Sequence, residues 1–232
     1  MQKQEFKDRL GAIGVNITDL MMEQFDAYYH LLVEWNNFMN LTGITDEAEV
    51  YEKHFYDCLL SAEGFKYQGK MADVGSGAGF PGLVLKIAFP ELKMTLIEPI
   101  GKRCNFLNEV INKLNLKDIE VVNKRSEDYV NEHREEFDIV SARAVSNVNV
   151  LSELCVPLLK IGGTFVILRG SNGNEEIKDG HKALKLLGAD EDRIMETGLS
   201  DGSKRIIGYY KKKRHTDKKY PRNYGMIKKK PL

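Results

Sequence analysis

The stretch that most restricts the fold is Asp73-Val-Gly75-Ser-Gly77-Ala-Gly79-Phe-Pro81-Gly82. It follows a short apolar run, Met71–Val74, and leads into helical periodicity from Pro81 to Ala88. Closely spaced glycines between a strand and a helix let the backbone turn and approach a ligand with no Cβ in the way. In an open α/β sheet that turn faces the crevice at the carboxyl ends of the strands. The rest of the chain agrees. Met94–Glu98, Glu120–Asn123, Phe137–Val140 and Thr164–Leu168 read as strands. Helices are predicted near Lys102–Leu114, Val150–Leu159 and Glu175–Leu187. This alternation predicts an α/β fold with a mostly parallel sheet wound on both faces. Residues 192–199 and 204–211, joined by Asp201-Gly202, read as a terminal hairpin that adds an antiparallel strand.

Residues 1–62 precede any strand and read as a helical cap. Thr18 is a candidate N-cap for a helix with apolar positions Leu20, Met21, Phe25, Tyr28, Leu32, Trp35 and Met39. Asn40-Leu41-Thr42-Gly43 stops it. A second helix is expected from Asp46 to Ser61, with Val50, Phe55, Cys58 and Leu59 inside. The predicted organisation is a cap over 1–62, a sheet domain over 63–211 and a basic tail over 212–232, packed on the domain or extending from it.

Composition removes several classes. The chain of 232 residues is 42% hydrophobic and 29% charged, which excludes a disordered or collagen-like polymer. No apolar run reaches the roughly 18 residues of a membrane span. The first ten residues are charged and amphipathic, unlike a signal peptide. Cys58, Cys104 and Cys155 are few and far apart, so neither a disulfide framework nor a metal pattern is expected, and a cytoplasmic location is the default. The net charge of zero hides an asymmetry. Residues 204–232 hold 12 Lys or Arg and one acid, Asp217, which leaves 22 basic and 33 acidic residues in the remainder. Two readings stand: a solvated, partly frayed terminus, or an electrostatic footprint for nucleic acid.

The glycine spacing narrows the ligand. A dinucleotide fingerprint needs G-x-G-x-x-G, and here Phe80 takes the sixth position. No Lys-Ser or Lys-Thr follows, so this is not a P-loop. Glu98 ends the next strand, where a carboxylate can accept from two ribose hydroxyls. Asp-x-Gly-x-Gly-x-Gly with a strand-end acid resembles class I S-adenosylmethionine-dependent methyltransferases. Asp73, Gly75, Gly77, Gly79, Phe80 and Glu98 are then candidate cofactor residues. Ser126 and Glu127 follow the third strand, beside the expected adenine, although Glu127 also suits a helix N-terminus. Arg143 follows the fourth strand, where it can hold a carboxylate, a phosphate or a base edge, or make a surface ion pair.

The acceptor is constrained by what is missing. Carbon-5 pyrimidine methylation needs a thiolate, and the usual Pro-Cys is absent. Exocyclic amine methylation usually shows Asn-Pro-Pro-Tyr, and Ser141-Ala-Arg-Ala does not match. A ring nitrogen with an exposed lone pair, such as guanine N7, needs no proton removed.

The sequence closely resembles the RsmG family, formerly called glucose-inhibited division protein B. Matching segments include Trp35–Thr42, His54–Asp57, Asp73–Pro81, Gly101–Leu107, Ser141–Val145, Pro157-Leu-Leu, Gly162-Gly163 and Lys219-Tyr-Pro-Arg222. The resemblance implies a Rossmann-like, seven-stranded methyltransferase that methylates N7 of a guanine in bacterial small-subunit (16S) ribosomal RNA. It implies cofactor contacts at Gly75, Phe80, Ser126, Glu127 and Arg143. Three departures stand out: Glu98-Pro99 replaces the usual Asp-Ser, Ser126 replaces Ala, and Arg169-Gly170 replaces Lys-Gly.

Arg143 is the residue expected to orient the reaction, with no general base. Lys102, Arg103, Arg169, Arg205, Lys219 and Arg222 are candidate RNA contacts. Tyr220 and Tyr224 either stack on bases or pack the tail. Asn36, Asn40 and Thr42 either cap the first helix or frame the acceptor pocket, and His54 and Asp57, at i and i+3, suit a structural hydrogen bond or, second, a substrate role. A monomer acting on ribosomal RNA or the small subunit, with no metal and no membrane, is the expectation. The rivals are a small-molecule methyltransferase, a non-catalytic RNA-binding assembly factor and a nucleotide-linked dehydrogenase.

Overall fold

A computed structural model describes residues 1–143 and 146–232, so Ala144 and Val145, the end of the motif Ser141–Val145, lie outside the described residues. The sheet has seven strands: β1 (Lys70–Val74), β2 (Lys93–Ile97), β3 (Ile119–Val122), β4 (Phe137–Arg143), β5 (Leu159–Arg169), β6 (Ala189–Gly198) and β7 (Lys204–Lys212). Their order is β3-β2-β1-β4-β5-β7-β6. The first five run parallel, and β7 is antiparallel to both β5 and β6. The order reverses between β1 and β4, the topological switch point where such sheets bind ligands.

The N-terminal helices are α1 (Lys3–Ala12), α2 (Asp19–Met39), α3 (Glu47–Val50) and α4 (Asp57–Leu59). A π-helical turn, Tyr51–Tyr56, joins the last two, and a 3₁₀ turn, Leu60–Ala62, ends the run. They share one core with α5 (Gly82–Ala88) and α6 (Gly101–Lys113). The opposite face is covered by α7 (Ser126–His133), α8 (Val148–Cys155), α9 (Gly173–Leu187) and α10 (Tyr224–Lys229). An aromatic chain ties the N-terminal helices to the glycine loop. Phe6 meets Phe25 at 5.3 Å, Phe25 meets Phe55 at 5.0 Å, and Tyr28 lies 5.3 Å from Phe55 and 5.7 Å from Phe80.

Several expectations hold locally. Thr18 caps α2 by accepting from the Met21 amide, and Asn40 ends it in the left-handed conformation, φ 49°. Others need correction. Leu20 is 64% exposed, because at 100° per residue it sits about 140° from Phe25 and off the buried stripe of Phe25, Tyr28 and Leu32. The expected helix Asp46–Ser61 contains a π turn, whose extra residue places Val50 and Phe55 on one side although they are five apart. The helix expected to reach Leu159 gives way at Val156 to a 3₁₀ turn, since Pro157 cannot donate to an α-helical ladder. Helix α7 bears out the helix N-terminus that Glu127 suggests, with Tyr129 and Val130 as its buried apolar positions.

The C-terminal segment is packed on the body. Lys212 is fully buried, donates to the Val156 carbonyl at 2.9 Å and pairs with Glu135 at 3.0 Å. Arg222 clamps Glu153, itself fully buried, through Nε at 2.9 Å and Nη2 at 2.7 Å. Tyr220 is buried, and Tyr224 lies under the Arg125 guanidinium at 4.6 Å, so both tyrosines pack the tail rather than present bare ring faces.

Removing one partner of a buried ion pair strands the other charge. Arg222→Ala is therefore expected to cost about 3 kcal/mol of stability. Urea unfolding of both proteins checks this; a change near zero contradicts the buried pairing.

Candidate functional site

The glycine loop opens at the carboxyl end of β1. Gly75, Gly77 and Gly79 have φ of 71°, 58° and 94°, a region that L side chains rarely adopt, and this is why the loop spaces three glycines so closely. Asp73 sits beneath it, fully buried. One of its oxygens accepts from the Gly82 amide at 3.1 Å and the other from the Ser141 hydroxyl at 3.0 Å. Burial pushes its carboxyl up to about 6 against these hydrogen bonds. From α2, Tyr28 donates its hydroxyl to the Ala78 carbonyl.

Above the loop lies a cavity of about 370 Å³ lined by Gly75, Gly77, Phe80, Glu98, Arg103 and Arg143, with Leu41, Thr42 and His54 from the N-terminal segment. One Glu98 oxygen accepts from Gly77 at 2.8 Å and the other from Ile100 at 2.9 Å. A second cavity of about 400 Å³ adjoins it and shares His54 and Arg143 with it. Its other walls are Lys53, Asp57, Leu168, Arg169, Gly170, Glu176 and Arg205. The two cavities therefore sit side by side along the carboxyl ends of β1, β4 and β5 and the amino end of the antiparallel β7, and meet at Arg143. A third cavity, about 260 Å³, lies at the opposite edge, among Lys70, Lys93 and Phe137 at the strand starts, and contains none of the residues singled out in the sequence.

Arg143 is held from every side. Its guanidinium lies 4.8 Å above the Phe80 ring. It pairs with Asp57 at 3.5 Å and donates to His54 Nδ1 at 3.2 Å. Asp57 also receives Arg205 Nε at 2.7 Å. His54 stacks on Phe80 with centroids 4.4 Å apart. Its Nε2 is 2.8 Å from the Thr42 hydroxyl oxygen, and Nδ1 is also 3.1 Å from the Lys53 carbonyl. Burial, with the adjacent Arg143 charge, pulls His54 down to about 3, so it is neutral near pH 7.

The residues singled out in the sequence divide into groups. Gly75, Gly77, Phe80, Glu98, Arg103 and Arg143 converge on the first cavity. Asp73 and Gly79 do not line it; Asp73 braces the loop from below, and Gly79 packs against Leu83 and Tyr28. Ser126 and Glu127 form the first turn of α7 and line neither cavity; the Ser126 hydroxyl is spent on the Leu154 carbonyl at 2.7 Å. Burial raises the Glu127 carboxyl.

The basic candidates scatter. Lys102 is exposed at the start of α6. Arg169 and Arg205 line the second cavity, each already facing a carboxylate. Arg222 is committed to Glu153, and Lys219 pairs with its neighbour Asp217 at 3.3 Å. The chain reaches Lys219 past Lys212, where β7 ends opposite the start of β5, so this part of the tail leaves the sheet at the edge away from the two cavities. His54 and Asp57, one helical turn apart, both contact Arg143, and His54 also meets Thr42 while Asp57 receives Arg205. Tyr28 was read from the sequence only as a core residue. Nothing in its periodicity distinguishes a core tyrosine from one that holds a loop.

Comparison with known proteins places this geometry. Residues 21–205 match the family described as GidB: rRNA small subunit methyltransferase G. The chain is 45% identical to the ribosomal RNA small subunit methyltransferase G of Bacillus cytotoxicus, covering 100% of this chain and 99% of that one. It is 46% identical to the protein of the same name from Brevibacillus brevis, covering 100% of both. Among solved structures, a SAM-dependent methyltransferase from Aquifex aeolicus superposes with a TM-score of 0.53 at 18% identity, covering 73% of this chain and 96% of that one. A 16S rRNA (adenine(1408)-N(1))-methyltransferase variant from Catenulisporales acidiphilia, solved with SAM, gives 0.52 at 16% identity, covering 64% and 86%. These structural likenesses establish a shared fold.

Two glycine substitutions separate binding from folding. A Cβ on Gly79 collides with Leu83 and comes within 2.6 Å of the Tyr28 hydroxyl, so Gly79→Ala is expected to lower stability by about 1–3 kcal/mol. A Cβ on Gly77 meets only the Gly75 carbonyl, at 3.8 Å, and otherwise enters the cavity. Gly77→Ala is expected to cost about 1 kcal/mol of stability through its positive φ and, in addition, to weaken S-adenosylmethionine binding, which Gly79→Ala reaches only through folding. Calorimetric binding beside thermal unfolding tells the two apart.

His54 also makes a pH prediction. The folded imidazole refuses a proton that the unfolded one binds below its ordinary value of 6.5. Its penalty is absent above pH 6.5 and grows as pH falls towards 3. His54→Gln is expected to lose part of the acid sensitivity in that window; unfolding curves that run parallel to wild type there contradict it.

Proposed function

This chain belongs to the GidB family, rRNA small subunit methyltransferase G, and on that premise we propose that it transfers a methyl group from S-adenosylmethionine to N7 of a guanine in small-subunit (16S) ribosomal RNA. The observation that carries this reading is the pair of adjoining cavities that share Arg143 and His54. One suits the donor, and the other suits a base.

The first cavity fits S-adenosylmethionine on its own chemistry. Its volume falls within the range of about 300–1,000 Å³ usual for small-molecule sites. Gly77 leaves the space that a Cβ would fill. Each Glu98 oxygen accepts one backbone amide and keeps a further lone pair for a ribose hydroxyl. We assign the adenine end to the first turn of α7, with Ser126 and Glu127, on the family resemblance, although these residues lie outside the first cavity's lining. Bound there, S-adenosylmethionine supplies a methyl group on a positively charged sulfur.

The protein's task is orientation and water exclusion. Guanine N7 has a lone pair and no proton, so no general base is required. The site agrees, because burial and the Arg143 charge leave His54, pulled down to about 3, too weak a base to take a proton, and its Nδ1 faces Arg143. The purine gains a positive charge as the methyl arrives. Asp57 lies between Arg143 and Arg205 and offsets their charge beside that ring. Arg143 is thus an orienting group, fixed over Phe80, and the guanidinium hydrogens not engaged by Lys53, His54 and Asp57 remain to donate to a base edge. Lys102 and Arg103, at the start of α6 beside the first cavity, are assigned to RNA phosphates. Among the described residues no helix is long and apolar enough to cross a membrane. We place the protein with ribosomal subunits in the cytoplasm, as a monomer.

The test uses small ribosomal subunits from cells lacking this protein, with labelled S-adenosylmethionine and strand scission specific to 7-methylguanine. Label in the small-subunit RNA with one scission site is expected. Arg143→Ala should lower the rate by about 10²-fold or more through lost orientation. The rate should show no titration assignable to His54 between pH 6 and 9. Intact cofactor binding with no label on subunits or free RNA would favour the small-molecule methyltransferase.

A further inference from the structure

The second cavity holds two carboxylates, and only one is available to a ligand. Asp57 has Arg205 on one oxygen and Arg143 on the other, and its side chain is 12% exposed. Glu176, in the first turn of α9, is 38% exposed. Its Oε2 lies 3.3 Å from Arg169 Nε, which is buried and makes no hydrogen bond among the described residues. Arg169 spends Nη2 on the Ser146 carbonyl. Arg169 therefore holds Glu176 by charge while leaving its oxygens free to accept.

The layout of the sheet orders these groups. Arg143 ends β4 and stands opposite Leu168 on β5, while Arg169 stands opposite Ile206 on β7. Strands are about 4.8 Å apart. Glu176, in α9 after β5, lines this cavity together with Arg143, and only Arg143 of the two also lines the donor cavity. Guanine is matched to this arrangement. Its O6 and N7 are adjacent acceptors on one edge. Its N1–H and 2-amino group are adjacent donors on the next, a pair that a carboxylate accepts in parallel.

Resting on the guanine-N7 reading above, we propose that the second cavity is a guanine pocket in which Glu176 accepts from N1–H and the 2-amino group while Arg143 donates to O6. Arg169 is then a positioning residue for Glu176 and not a phosphate contact. Adenine is rejected at both ends, because its amino group meets the Arg143 donors and its bare N1 meets the carboxylate.

Inosine keeps O6 and N1–H and lacks the 2-amino group. Small-subunit RNA carrying guanine or inosine at the labelled position is assembled into subunits and offered to the wild type and to Glu176→Gln. The wild type is expected to prefer guanine in kcat/KM by about tenfold or more. The Gln variant is expected to methylate guanine about tenfold or more slowly, with little preference between the two bases. Its affinity for S-adenosylmethionine should match wild type, which also confirms its fold. A Gln variant that keeps the wild-type preference, or a wild type indifferent to the 2-amino group, overturns the role of Glu176. A wild type that methylates no guanine subunits is a separate result; it removes the N7 reading and this pocket with it.

Discussion

A carboxylate buried beneath the glycine loop holds the site in register. Asp73 leaves β1 into an interior where an ionised group costs several kcal/mol unless it is hydrogen-bonded. The Gly82 amide and the Ser141 hydroxyl supply those bonds, from the start of α5 and from β4. The Ser141 bond joins β1 to β4 across the switch point, and the Gly82 bond ties β1 to the start of α5. They set the height of Gly75–Gly79 over β1 and bring Arg143, two residues beyond Ser141, to the end of β4. With a carboxyl pushed up to about 6, Asp73 is a costly brace, and its environment is shaped around it.

The N-terminal helices complete the site as well as the core. Tyr28 fastens the loop through Ala78, and Phe55 and Tyr28 support Phe80 from behind. The turn after α2 contributes Thr42, fixed by the Asn36 side chain, which accepts from its amide at 2.8 Å. The π turn carries His54, and the residue just after it is Asp57. A regular helix would rotate these two differently against Phe80 and Arg143. The unusual turn is therefore tied to the functional site, where such turns often occur.

Much of this was legible because it depends on local order. The loop announced itself through glycine spacing, the donor cavity through Glu98 at the next strand end, and Arg143 through its place after β4. Residues that act through partners were harder to read. Arg205 and Arg222 look like phosphate contacts in a basic segment, yet Asp57 and Glu153, 148 and 69 residues away, already hold them. Arg169 looks like a surface cation and is 7% exposed. Glu176 carries no signal in the sequence beyond an acid early in a helix.

The sequence by itself determined the order of strands and helices, the glycine loop and the identity of the groups at the strand ends. Those properties follow from backbone conformation and side-chain periodicity, which are read over a few residues. Only the tertiary structure decided which charges are free and which are spent, that His54 is neutral, and that two cavities meet at Arg143. Those outcomes depend on burial and on distances of a few ångströms between distant segments, and packing alone sets both.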